Sequence, residues 1–76
     1  VVKNSDKNYL EKVGQNIARL RREKEMSQMD VCAIIDMDKP NLSAIENGRQ
    51  NATILTLKKI ANALEVDVSS FFSPTV

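Results

Sequence analysis

The side chains that could do chemistry gather in one short stretch, Asp36 to Gln50, which reads DMDKPNLSAIENGRQ. It carries Lys39, Asn41, Ser43, Asn47 and Arg49 within a few helical turns. An ammonium group only donates hydrogen bonds, whereas an asparagine amide both donates and accepts. Lys39 can therefore donate to guanine, and Asn41 can pair with adenine or touch a phosphate. Catalysis is poorly served by the same chain. Histidine is absent, only two glycines are present, and no carboxylates are forced into a shared pocket. Cys32, the one cysteine, lies on an apolar helix face and reads as a packed thiol. We expect no enzyme, no metal and no cofactor.

A helix must position these groups. On a wheel at about 100° per residue, Leu42 and Ile45 mark the buried direction and Glu46 falls beside it. Pro40, Ser43, Ala44 and Asn47 lie opposite, with Lys39 and Asn41 on the flanks near the amino end. The outer face is small and polar, so its backbone can approach another surface closely. Pro40 suits a first turn, whose amides lack helical partners, and Gly48 suits a left-handed stop. Asp38 is placed to cap the helix, although the restriction that proline puts on its predecessor leaves Lys39 as the other candidate. The helix ends at Glu46 or Asn47. A rod of this kind fits a major groove about 12 Å wide, where residues near the amino end read base edges.

The surrounding elements follow from periodicity and caps. Leu10, Val13, Ile17 and Leu20 form one apolar stripe, predicting a first helix from Tyr9 to Lys24 capped by Asn8, with Gly14 a weak spot inside it. Ser27 with Asp30 signals a second helix, Gln28 to Ile35, bearing Met29, Val31, Cys32, Ile34 and Ile35. Helices two and three then make a helix-turn-helix in which Gln28 faces the sugar-phosphate backbone. Thr53 caps a fourth helix whose Ile54, Leu57, Ile60, Ala61 and Leu64 repeat as far as Glu65, and Asp67 caps a short fifth helix with Val68, Phe71 and Phe72. No segment alternates like a strand, so the fold class is all-α.

With 76 residues the chain is one domain, of a size that buries only about 60% of its unfolded surface. Residues 1–8 read as a flexible segment, 9–72 as the domain and 73–76 as a frayed tail. A single cysteine and the absence of a signal-peptide layout or a membrane-length apolar run point to a reducing, cytoplasmic setting. The net charge of +1 argues against a histone-like binder and leaves room for a localised basic surface.

The segments IARLRREKEMSQMDVCAII and NLSAIENGRQNATILTLKKIANALEVDVSSFF resemble the lambda-repressor-like helix-turn-helix family, the Cro and phage-repressor type also called Xre. The likeness runs from Val13 to Phe72. Its most specific parts are Leu20-Arg21, Ser27-Gln28, Ile45 to Gly48 and Leu57 to Val66. The resemblance implies a compact five-helix DNA-binding domain that dimerises on a near-palindromic operator, as in repressors, restriction-modification controller proteins and some antitoxins. It makes Gln28 a phosphate-binding residue and Asp38, Lys39, Pro40, Asn41, Ser43 and Ala44 the groove-facing segment. Asn47 and Arg49 then meet the DNA backbone, and Arg21 pairs with Glu46. Two departures concern turns, since Glu25 and Glu65 stand where the family often has glycine. Pro40 and Ala44 occupy positions of polar base-readers in relatives, which shifts selectivity toward DNA shape.

Phe71 and Phe72 are adjacent, so one helix buries only one of them easily. The other, with Leu55, Val66 and Val68, is expected to form a two-fold interface that sets two recognition helices about 34 Å apart. The partners this implies are double-stranded DNA, a second copy of the chain, and RNA polymerase, occluded or contacted. A competing reading is an antitoxin-like module whose main partner is a toxin.

Overall fold

Side-chain caps divide the chain into its helices. The computed structural model describes residues 4–74, which form α1 (Asn4–Glu23), α2 (Gln28–Ile35), α3 (Lys39–Glu46), α4 (Ile54–Leu64) and a closing 3-10 turn (Val68–Phe72). At α2 the Ser27 hydroxyl accepts from the Asp30 amide at 3.0 Å while the Asp30 carboxylate accepts from the Ser27 amide at 2.8 Å, a reciprocal box. Asp38 accepts from the Asn41 amide at 2.8 Å, so Asp38 is the cap of α3 and Lys39 is already helical. Thr53 caps α4 through the Thr56 amide at 3.2 Å. Asp67 caps the last turn by accepting from Ser69, and that bond holds its carboxyl below the usual carboxylate range. The Asp67 cap is therefore complete at neutral pH and is lost as pH falls through the lowered value.

Two expectations need correction. Among the described residues there are four α-helices, not five, because Val68–Phe72 is a 3-10 turn too short to continue as an α-helix. Helix α1 also begins at Asn4 and ends at Glu23. Asn8 thus sits inside the helix and caps nothing. No glycine or proline interrupts Asn4 to Asn8 and Asp6 favours the first turn, so an established helix extends upstream at little cost. The remaining residues of the expected flexible segment, 1–3, lie outside the described residues, as do 75–76 of the tail.

All four α-helices end in the same way. A left-handed residue, Glu25, Asp36, Gly48 or Glu65, turns the chain. The following amide then bonds five residues back, from Met26 to Arg21, Met37 to Cys32, Arg49 to Ala44 and Val66 to Ala61, at 2.9–3.1 Å. The turns lacking the expected glycine are thus built normally, with an acidic residue in its place. An L-residue there costs about 1–2 kcal/mol, partly offset by the restraint a side chain puts on the unfolded chain. Glu65→Gly should accordingly stabilise the domain by about 0.5–1 kcal/mol. A thermal melt followed by circular dichroism should rise by roughly 2–8 °C; an unchanged or lower midpoint would show that the carboxylate makes a compensating contact.

Every element contributes to one core. Ile17, Val31, Leu42, Ile60, Leu64 and Phe71 are fully buried, one or two from each element. Helix α1 packs on α3 and on the 3-10 turn, while α2 packs on α3 and α4. Cys32 is buried among them, and its thiol is pushed up chiefly by that burial, then by the Asp38 and Glu46 carboxylates, with Lys39 acting in the opposite sense. Among the described residues no helix is long and apolar enough to cross a membrane.

Candidate nucleic-acid interface

The outward surface of α3 is where chemistry remains available. Leu42 and Ile45 are buried, whereas Lys39, Pro40, Asn47 and Arg49 are exposed and Asn41, Ser43 and Ala44 are half-buried. None of these seven is fully buried. Asp38, spent on its own helix, aims one carboxylate oxygen at the Asn41 amide.

An ion-pair network fixes this helix in place. Arg21 of α1 donates from Nε to Glu46 Oε2 at 2.8 Å and from Nη2 to Oε1 at 3.1 Å, and its Nη1 donates to the Met26 carbonyl at 2.9 Å. Both residues are buried, Arg21 to 8% and Glu46 to 6% exposure. Two-point geometry leaves the guanidinium and carboxylate planes no freedom to slide, so α3 is held in rotation as well as position. Gln28 completes the network by donating from Nε2 to Glu46 Oε1 at 2.9 Å. Its orientation follows from its partner, since a carboxylate can only accept. Residue 28, expected to face phosphate, therefore also braces α3, with its second amide proton still free. Asn47 behaves similarly. Its amide nitrogen donates to the Ser43 carbonyl at 2.8 Å and lies 3.4 Å from the Ser43 hydroxyl.

Two glycines are essential to this arrangement, and although Gly48 was readable as a left-handed stop, the contact each makes between α1 and the end of α3 was not. Gly14, read as a weak spot, is where the end of α3 meets α1: an added Cβ would overlap the carbonyl oxygens of Ile45 and Glu46 and lie 2.7 Å from the Glu46 carbonyl carbon. Gly48 repeats the contact from the other side. Its φ is +73°, and a Cβ would lie 2.7 Å from the Glu11 backbone. A glycine tolerated inside a strong helix was the available signal. Asn16 was missed altogether. Only 3% exposed, it donates to the Phe71 carbonyl at 2.9 Å and the Ser73 carbonyl at 3.0 Å, tying the last turn and Ser73 of the expected frayed tail to α1.

Of the apolar residues expected at a two-fold interface, Phe72 lines one cleft, Val66 and Val68 line another, and Leu55 lines neither. Phe71 fills the core and Phe72 is half-exposed, its ring stacked on Tyr9 at 6.5 Å in a cleft shared with Leu57. Val66 and Val68 are half-buried and line a second cleft with Ile54. Leu55 is 72% exposed and Ile54 82%. Ile54 lies on the apolar stripe of α4 but at its uncovered first turn. Periodicity names a face, not whether a neighbour covers it.

These features agree with comparison to known proteins. The helix-turn-helix family profile matches residues 17–71. The chain is 44% identical over 63 residues to the uncharacterized HTH-type transcriptional regulator y4dJ of Sinorhizobium fredii, covering 83% of this chain and 82% of the relative. It is 39% identical over 61 residues to the control protein C.MunI of a Mycoplasma species, covering 79% and 82%. The restriction-modification controller protein C.Esp1396I, solved as a tetramer in complex with its natural 35 base-pair operator, superposes with a TM-score of 0.75 at 38% identity over 84% of each chain. A match spanning α2, α3, α4 and the last third of α1 shows that the chain belongs to the lambda-repressor-like (Xre) helix-turn-helix family of DNA-binding transcriptional regulators.

Proposed function

We propose that the chain regulates transcription as a homodimer that binds a near-palindromic operator in the cytoplasm. The observation that carries this reading is the partly exposed, small-residue face of α3, held by the buried Arg21–Glu46 pair. Placed in the major groove, that face brings Lys39 and Asn41 to base edges, with Pro40, Ser43 and Ala44 allowing close approach. Gln28, Asn47 and Arg49 meet the flanking phosphates. Leu55, Val66, Val68 and Phe72 provide the apolar surface between protomers, and the bound dimer occludes or contacts polymerase. The tetrameric assembly of C.Esp1396I on its operator supports side-by-side binding of two such dimers.

Selection of bound duplexes from a random pool tests the reading. The recovered sequences should be two-fold symmetric, with half-site centres about 10 base pairs apart. Lys39→Ala combined with Asn41→Ala should then abolish operator preference, since each good base contact is worth about 1–3 kcal/mol of discrimination. Circular dichroism should stay unchanged. Recovery of unrelated sequences would refute the function, and intact preference in the double variant would remove these two side chains from the reading surface.

A further inference from the structure

Helix α1 carries two pairs of residues with the same seven-residue spacing. Gly14 and Arg21 meet the carboxy end of α3, whereas Tyr9 and Asn16 meet the last turn. Seven residues make two helical turns, so each pair lies along one face, and the offset of five residues sets the two faces about 140° apart. Asn16 donates from Nδ2 to the Phe71 carbonyl at 2.9 Å and to the Ser73 carbonyl at 3.0 Å. These carbonyls flank Phe72, so one side chain pins the backbone on both sides of it. The amide is itself oriented, because its oxygen faces Arg19 Nη2 at 3.5 Å and Arg19 is held by Glu23 at 2.9 Å. A carbonyl only accepts and a guanidinium only donates, so the amide cannot turn over without losing these partners.

We propose that Asn16 is a positioning residue for the dimer: its clamp, with Tyr9 supporting the ring, fixes the angle at which Phe72 meets a second protomer, and α1 passes that angle to α3. Asn16 thereby sets the separation of the two recognition helices. The inference rests on the homodimer reading and deepens it. Among the described residues, the hydrogen bonds between α1 and residues 68–74 both come from Asn16. The rest of that contact is packing around Phe71, which resists separation but is not directional. Bonds within the turn, from Ser69 to Asp67 and from Ser73 to Ser69, hold its form without fixing it on α1. Direction matters because a change of one base pair in spacing is ~3.4 Å of rise and roughly 35° of rotation. At 3% exposure Asn16 is out of reach of a partner protomer, so any effect it has on association passes through the last turn.

Two measurements on the full chain test the clamp: sedimentation equilibrium for self-association, and titration of duplexes carrying one half-site, or two with centres about 8 to 12 base pairs apart. Asn16→Leu keeps the approximate size of the side chain, adds no charge and removes the donor. It should weaken self-association by about tenfold or more and flatten the preference among two-site duplexes, while affinity for the single half-site stays within about twofold. Tyr9→Ala changes an exposed position and removes the other support of Phe72. It should flatten the spacing preference in the same sense. Native self-association and spacing in Asn16→Leu overturn the clamp and leave the proposed function standing. So does a fall in single half-site affinity as large as the fall in association, which reduces Asn16 to support of the fold. If Asn16→Leu does not fold, Tyr9→Ala decides, and a native spacing preference in that variant overturns the clamp. An unaltered chain that stays monomeric on and off DNA overturns the homodimer reading and the clamp with it.

Discussion

Gly14→Ala is expected to lower the stability of the domain by about 2 kcal/mol or more, although alanine is the better helix former by about 1 kcal/mol. The added methyl meets the Ile45 and Glu46 carbonyls, which are backbone atoms and cannot swing aside. Relief requires α3 to move away from α1. That shift would also strain the ion pair beside it, because Glu46 belongs to both contacts. In a domain of this size 2 kcal/mol corresponds to a melting point lower by roughly 8–16 °C, measurable by calorimetry. Operator affinity should drop as well, through displacement of α3 and without any lost DNA contact. A variant as stable as the native chain would show that α1 and α3 can separate freely.

Removing either member of the buried pair should cost more. Glu46→Leu leaves the Arg21 guanidinium buried with only the Met26 carbonyl, and Arg21→Met leaves the Glu46 carboxylate with only the Gln28 amide. Either change should destabilise by about 3–5 kcal/mol, a large part of the total for a small domain. Changing both, to methionine and leucine, should restore most of that loss, since a buried pair repays its desolvation only in part. Urea unfolding of the four proteins in this cycle gives the coupling. Operator affinity of the double variant should remain low even where stability returns, because an apolar contact does not fix the rotation of α3 about its axis. Full recovery of both would reduce the pair to ordinary packing.

What the sequence revealed and what it concealed divide along distance in the chain. Ser27, Asp38, Thr53 and Asp67 were readable as caps because each bonds an amide two or three residues away. Ile45 and Leu42 were readable as core from spacing alone. The partners of Asn16 lie more than fifty residues downstream and belong to the backbone, which bears no mark in a sequence. Gly14 has the same difficulty, since its meaning lies in carbonyls of another helix. The start of α1 was hidden for a different reason: nothing between Asn4 and Asn8 stops the helix. Gln28 was recognised as important, but its bond to Glu46 emerged only once α2 and α3 were placed together.

The acidic left-handed stops at Glu25 and Glu65 bear on how much of this regulator a cell would hold. Together they withhold about 1–2 kcal/mol, enough to change the ratio of native to denatured chains by roughly 5- to 30-fold. Denatured chains are what proteases degrade. Both positions sit at solvent-exposed turns, away from the outward side of α3. Cellular lifetime, and with it dosage, can thus be tuned at these two turns while sequence preference stays as it is.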